Sequence, residues 1–179
     1  RVNASGNIEK ETGNLFTYSN TFSNSSWLKA DTSVTGGQSG YDGTNDAWLL
    51  EITGGTGFQT LRKQPISHSG VNTFSFYAKA GTLSWVRVNM GFAQTYFDIG
   101  NGVVDSFDSS IGASIEAAGN GYYRCIVPVS GSSTTFYIYP ASGSGNVSQS
   151  SGNLYIQDAQ WEQGLVARDY IETTTTAIY

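Results

Sequence analysis

Hydrophobic and polar positions alternate along most of this chain with a period of two. The clearest run covers residues 72–80, where Phe74, Phe76, Ala78 and Ala80 fall on one side and Thr73, Ser75, Tyr77 and Lys79 on the other. Alternation of this kind marks a strand with one buried face, because successive side chains point to opposite sides of the pleat. Residues 83–90 repeat it, with Val86, Val88 and Met90 inward and Trp85, Arg87 and Asn89 outward. Residues 95–99 turn Phe97 and Ile99 inward, and residues 134–139 turn Phe136 and Ile138 inward with Tyr137 and Tyr139 outward. Residues 119–129 open on Gly119-Asn120-Gly121, whose members tolerate positive φ in a tight turn. They continue as a strand with Tyr123, Cys125, Val127 and Val129 inward and Tyr122, Arg124 and Ile126 outward.

Further strands are predicted over residues 14–19, 27–29, 47–52, 58–62, 113–118 and 154–162, with Gly/Ser/Thr-rich loops over 31–45 and 141–152. In the last strand Ile156 and Ala159 cannot both face inward unless a bulge resets the phase near Asp158. The sum is about eleven short strands and no helical period, the pattern of two packed antiparallel sheets. An all-β jelly-roll sandwich is the expected architecture, with a closed barrel as the alternative. Residues 1–13 read as a connecting arm from a preceding domain, 14–173 as the sandwich and 174–179 as an extended tail.

Composition narrows the function classes. The net charge of −5 argues against a nucleic-acid partner, which needs a basic surface. No apolar run is long enough to insert into a membrane. Cys125 is the sole cysteine and His68 the sole histidine, which leaves no internal disulfide and no Cys/His metal pair. The alternating apolar set around Cys125 marks it as a buried thiol, and the turn-like surroundings of His68 mark it as a solvated loop residue. No Gly-x-Ser-x-Gly elbow stands at a strand-to-helix turn. Glu51, Asp98, Glu116 and Glu162 have the right type for glycoside hydrolysis, but no spacing selects a pair. The chain reads as non-enzymatic. Its start at Arg1 without a methionine reads as a segment of a longer protein, and three glycosylation sequons stand at Asn3, Asn24 and Asn146.

The outward residues carry the candidate chemistry. If their strands share a sheet, Tyr77, Lys79, Trp85, Arg87, Asn89, Tyr122, Arg124, Tyr137 and Tyr139 gather on one surface. Aromatic rings stack on the C–H faces of sugars, and planar Arg and Asn groups bond hydroxyls, so this mixture suits a polysaccharide or cell-surface glycan. Arg and Lys would further favour uronic or sulfated sugars. Tyr, Trp and Arg are equally the residues of a protein interface, so sister chains or capsid and tail proteins are the alternative partners. Asp158 and Glu162 are candidate oxygen ligands for a structural calcium ion.

Four blocks carry a resemblance. They are residues 14–19 with Phe22 and Trp27-Leu28-Lys29, residues 74–81, residues 119–125, and residues 154–162 followed by Tyr170-Ile171-Glu172-Thr173. In order and spacing they resemble the carbohydrate-binding-module-like β-sandwich domains of tailed-phage structural proteins, such as tail and head fibres. They are similar, more distantly, to calcium-containing jelly-roll modules of polysaccharide-degrading enzymes. The resemblance implies a non-catalytic jelly roll that binds glycan or decorates a virion surface, with a secreted enzyme module as the alternative. It also implies a calcium-holding role for Asp158, which stands where the enzyme-attached relatives have an aspartate in their last strand.

Overall fold

Strand alternation produces two antiparallel sheets that face each other across a single apolar layer. The computed structural model describes residues 13–64, 70–90, 93–105, 112–131 and 135–179. In chain order the strands are β1 (Trp27–Ala30), β2 (Thr32–Gln38), β3 (Ala47–Ile52), β4 (Thr60–Lys63), β5 (Val71–Ala80) and β6 (Trp85–Asn89). They continue with β7 (Gln94–Asp98), β8 (Val103–Asp105), β9 (Ser114–Ala117), β10 (Tyr123–Ser130), β11 (Phe136–Ala141) and β12 (Gly152–Gln163). The first sheet runs β1-β4-β11-β6-β7-β8 and the second β2-β3-β12-β5-β10-β9. Successive strands pass repeatedly from one sheet to the other, the connectivity of the expected jelly-roll sandwich. The only helical element among the described residues is one 3-10 turn, Gly119–Gly121. There Asn120 takes a positive φ of 56°, so the Gly-Asn-Gly signal does make a tight turn.

The inward sets of the two sheets interlock. Phe74 of β5 meets Phe136 of β11 with ring centroids 3.6 Å apart, and Phe76 and Phe16 lie against Phe74 at 5.2 and 5.8 Å. Trp27 is wedged between Phe16 and Phe22, at 5.5 and 4.9 Å. Cys125 sits inside this cluster with no exposure, and burial pushes its thiol well above the usual range. A thiol held neutral among rings packs as a small apolar group and has no nucleophile to offer.

Two expectations change. Residues 14–19 form no strand; apart from a single bridge from Asn14 to Ile178, their hydrogen bonds go elsewhere. Asn14 Oδ1 accepts the Trp161 amide, Asn14 Nδ2 donates to the Ala159 carbonyl, and Tyr18 takes a φ of 53° that breaks any extended run. Second, the Gly/Ser/Thr stretch after Asp31 is not all loop, because β2 pairs along β3 from Thr32 to Gln38. It is an edge strand with little apolar content, held by the partner ladder and not by a hydrophobic stripe. The described residues hold twelve strands, in keeping with the expected count of about eleven. His68 lies outside the described residues.

The phase slip in the last strand is present. Pairing of β12 with β5 jumps from Gln157↔Tyr77 to Gln160↔Ser75, and Asp158 has a φ of 53°. The one extra residue, with Asp158 and Ala159 opposite Phe76 alone, lets Ile156 and Ala159 both reach the core, where each is fully buried.

Candidate functional site

The nine outward residues do not share a sheet. β5 and β10 belong to the second sheet, β6 and β11 to the first, so the expected surface divides between opposite outer faces of the sandwich. Reading alternation strand by strand shows which side of a strand is outward, but not which sheet the strand joins.

On the first sheet, pairing sets the outward residues in rows across the strands. Arg62, Tyr137, Asn89 and Gln94 stand in one row. Tyr139, Arg87, Tyr96 and Asp105 stand in the next, and Ala141, Trp85 and Asp98 follow. The Tyr137 and Tyr139 rings stack with centroids 5.8 Å apart. The Arg87 guanidinium lies over Tyr139 at 4.7 Å and over Tyr96 at 5.8 Å, and its Nη2 donates to Gln94 Oε1 at 2.7 Å. A cation seated between rings and tied to an amide is fixed in place at low entropic cost. Tyr139 is only 7% exposed and forms the floor, whereas Tyr137, Trp85, Arg87 and Asn89 remain half-exposed. Phe58, 61% exposed, stands edge-on to Tyr139 at 6.0 Å. This residue was missed by the sequence reading, which treated it as the start of a strand; the Gly-Gly-Thr-Gly turn before it is what lifts it above the face.

On the second sheet the expected ligand residues are occupied with holding loops. Tyr122 is 1% exposed, because the loop over residues 39–46 lies on it and its Oη donates to the Ser39 carbonyl at 2.8 Å. Its expected exposure is therefore corrected: outward from the core is not outward to solvent when a loop covers the sheet. Lys79 extends over the Tyr122 and Tyr155 rings at 5.2 and 5.4 Å. Arg124 donates to Ser75 Oγ and to the Arg168 carbonyl and lies over Tyr77 at 5.4 Å, so it clamps the C-terminal segment to the sheet.

The same loop brings Tyr41 face to face with Tyr77, at 3.7 Å and 8° between planes. Asn120 Nδ2 donates to the Gly40 carbonyl at 2.9 Å, and a Cβ on Gly119 would collide with the Tyr41 carbonyl. The Gly-Asn-Gly turn thus seats the loop as well as opening β10. Gln157, at the bulge, accepts the Tyr41 amide and donates to Asp46 at 2.7 Å. Between loop, bulge and C-terminal segment opens a cavity of about 540 Å³ walled by Tyr41, Tyr77 and Tyr170. Five carboxylates also line it: Asp42, Asp46, Asp158, Asp169 and Glu172.

Asp158 is the buried member, 4% exposed. Burial pushes its carboxyl up to about 7; the Tyr41 hydroxyl, donating to Oδ2 at 3.1 Å, opposes this, while Asp46, Asp42 and Glu172 add to it. Burial likewise pushes the Tyr41 and Tyr170 phenols far above their usual range. At Asp42 burial acts upward, but hydrogen bonds from Thr44 and Gln157 outweigh it and hold the carboxyl below its ordinary value.

Calcium needs six to eight oxygens converging on one point. Asp158 bonds Tyr41 at the cavity, whereas Glu162, 2% exposed, accepts from Gln160 Nε2 and the Arg168 amide. Their side chains serve different partners, and among the described residues no three acidic, histidine or cysteine side chains stand close enough to share a metal ion. The pair as placed does not fit a calcium cage. The carboxylates with the residue type for glycoside hydrolysis are scattered as well: Glu51 on β3, Asp98 capping the turn after β7, Glu116 on β9 and Glu162 on β12.

No family model matches the sequence, and no curated protein matches it. Among solved structures the chain is similar to the CBM22-1-GH10 modules of the N-terminal endo-1,4-β-D-xylanase 10B from Clostridium thermocellum, complexed with xylohexaose. That match has 12% identity and a TM-score of 0.49, and covers 88% of this chain and 29% of the other. It is also similar to a family 29 carbohydrate-binding module, solved as an arginine-to-alanine variant, at 11% identity and a TM-score of 0.38. Here 83% of this chain and 89% of the other are covered. The chain spans less than a third of the length of the first.

Proposed function

We propose that this chain is a non-catalytic glycan-binding module whose binding surface is the outer face of the first sheet. The observation that carries the reading is the row arrangement there, with half-exposed Tyr137 and Trp85 flanking the Arg87 guanidinium and Asn89. Rings and planar hydrogen-bonding groups alternate on a rigid sheet, and rigidity keeps the entropic cost of binding small. A flat, open arrangement of this kind suits a polysaccharide chain laid across several strands more than a small enclosed ligand. Asn89 and the Arg87 guanidinium offer donors to hydroxyl or uronate groups.

The order and spacing of the four sequence blocks support display on a virion surface, as an adhesion domain of a tail or head fibre. Attachment to a secreted polysaccharide-degrading enzyme is the second setting.

Retention on affinity gels loaded with neutral and acidic polysaccharides tests the binding reading. Retardation of the monomer by at least one polysaccharide, abolished by soluble competitor, is the expected result. No retention by any of them, together with a stable oligomer in sedimentation that buries Trp85 and Tyr137, overturns it in favour of a sister-chain or capsid interface.

A further inference from the structure

Among the described residues, the outer face of the first sheet holds two guanidiniums that pair with no acid. Arg62 stands beside Tyr137 in one row, and Arg87 stands beside Tyr139 in the next. Both gather round the Tyr139 hydroxyl: burial raises that phenol above its ordinary value, while the Arg87 and Arg62 charges act against the rise. Arg62 is partly exposed and makes no hydrogen bond or ion pair among the described residues, and of its three nitrogens only Nε is closed to water. Arg87 has its Nε closed off in the same way and donates from Nη2 to Gln94 Oε1. What each side chain leaves for a ligand is the end of its fork, the pair of terminal nitrogens.

Solvated arginines are common on protein surfaces and carry no inference by themselves. Three features separate these. The acids among the strand residues of this face are Asp98 and Asp105, and neither is offered to the arginines. Asp98 is 8% exposed, with Oδ1 accepting the Gly100 and Asn101 amides and Oδ2 the Asn101 side-chain amide. Asp105 lies past Tyr96 on the edge strand β8. Next, Arg87 is already fixed against Tyr139, Tyr96 and Gln94, so a ligand does not have to order it. Last, the protein carries a net charge of −5, so two positive groups around one hydroxyl run against its general charge. Like charges placed together repel, and an anion laid over them relieves the repulsion. A carboxylate or sulfate does this best, because it accepts two parallel N–H bonds from the end of a guanidinium fork.

We propose that this face is selective for acidic polysaccharides, with the Arg62 and Arg87 forks binding uronate or sulfate groups of a chain that lies on Tyr137 and Trp85. The proposal rests on the glycan-binding reading of the same face and narrows its ligand to an anionic chain. Arg62 is the specificity-determining residue, because its removal takes away a free fork and leaves the rings and the Gln94-held guanidinium in place.

The test is affinity electrophoresis of the full chain through gels loaded with polygalacturonate, alginate or hyaluronate, and with the same polymers after reduction of their carboxyls to alcohols. Dextran sulfate beside dextran forms the sulfate arm. Low ionic strength is used, where partly exposed charges are least screened. The expected result is that at least one acidic polymer retards the protein more strongly than its neutral counterpart, by at least roughly threefold, the scale of a partly exposed ion pair. A preference among the uronates assigns the carboxylate, and one confined to dextran sulfate assigns the sulfate. Arg62→Gln should remove most of the preference while keeping the urea midpoint, and Arg87→Gln should remove it as well. Lys79→Gln, the same loss of charge on the opposite sheet, should leave it intact. Charged polymers that retard no more than their neutral counterparts, or a preference that survives Arg62→Gln, overturn this proposal and leave glycan binding standing. Retardation by none of the polymers overturns both. Release of the protein by polyglutamate at equal charge concentration also overturns the proposal, since it would mean capture of bare negative charge without the sugar.

Discussion

Asn20 Oδ1 accepts the backbone amide of Asp158 at 3.0 Å, and this bond closes the gap that the bulge opens in β12. At the bulge the Asp158 amide leaves the ladder with β5, and a buried amide needs another acceptor. Asn20 supplies it, while its Nδ2 donates to the Asp46 carbonyl and so reaches the loop that carries Tyr41. Asn20→Ala is expected to destabilise the protein by about 1–3 kcal/mol, the cost of orphaning a buried donor. Urea unfolding of the variant measures this, and a loss below about 0.5 kcal/mol would mean that water takes over the contact.

The strands were legible because each carries its own alternation, and even the bulge could be read from the conflict between Ile156 and Ala159. What escaped was whatever depends on partners distant in sequence. Nothing local to Tyr77 or Trp85 tells which sheet each joins, so one expected surface became two faces. Nothing local to Tyr122 reveals that Ser39 will lie across it. Residues 14–19 look like a strand because Leu15, Phe16 and Tyr18 are apolar and aromatic, yet their backbone follows the bulge and Asn14 replaces ladder bonds with side-chain ones. The acidic cavity was invisible for the same reason: Asp42, Asp158 and Glu172 lie far apart along the chain and meet only through the loop and tail.

Asp158 should make stability fall as pH rises. Its folded value of about 7 lies above its ordinary 3.8, so between roughly pH 4 and 7 the folded state holds a proton that the unfolded chain has lost. The group therefore supports the fold fully below about pH 4, loses that support progressively to about pH 7, and changes nothing further above. Thermal unfolding from pH 4 to 8 should show Asp158→Asn gaining on the unsubstituted protein through this window. Parallel profiles for the two would show that Asp158 is ordinarily solvated.

On the first-sheet face, Trp85→Ala and Tyr137→Ala should each weaken polysaccharide binding by about 1–2 kcal/mol, roughly tenfold, while leaving the unfolding midpoint nearly unchanged. Both rings are partly exposed and pack on the rim of the small cluster of Tyr96, Tyr139, Ala141 and Val147, outside the main core, so their loss opens no cavity in that core. Tyr139→Ala should differ, because Tyr139 is 7% exposed and floors the cluster with Tyr96 and Val147. It should lower stability as well as binding. Affinity electrophoresis beside urea unfolding separates the two effects, and unaltered retention by the Trp85 and Tyr137 variants would remove this face from recognition.

Lys63 gives a pH dependence of the opposite sign at the other end of the scale. It is 4% exposed at the end of β4, with Nζ donating to the Thr17 carbonyl and to Ser26 Oγ, each at 2.6 Å, and lying 5.0 Å from the Trp27 ring. No carboxylate is among these contacts, so the ammonium is held by neutral acceptors and a ring face. Burial lowers it to about 8 from an ordinary 10.5. Between those values the unfolded chain binds the proton that the folded one has released, so stability rises with pH across the window and levels off on either side. Lys63→Met should flatten this rise, and because the methionine also abandons the Thr17 carbonyl, the comparison rests on slope and not on absolute stability. Urea midpoints taken at pH 7.5, 9 and 10.5 provide that slope. An equal slope in the variant would place the ammonium in ordinary contact with water, with Trp27 and Thr17 contributing nothing to its titration.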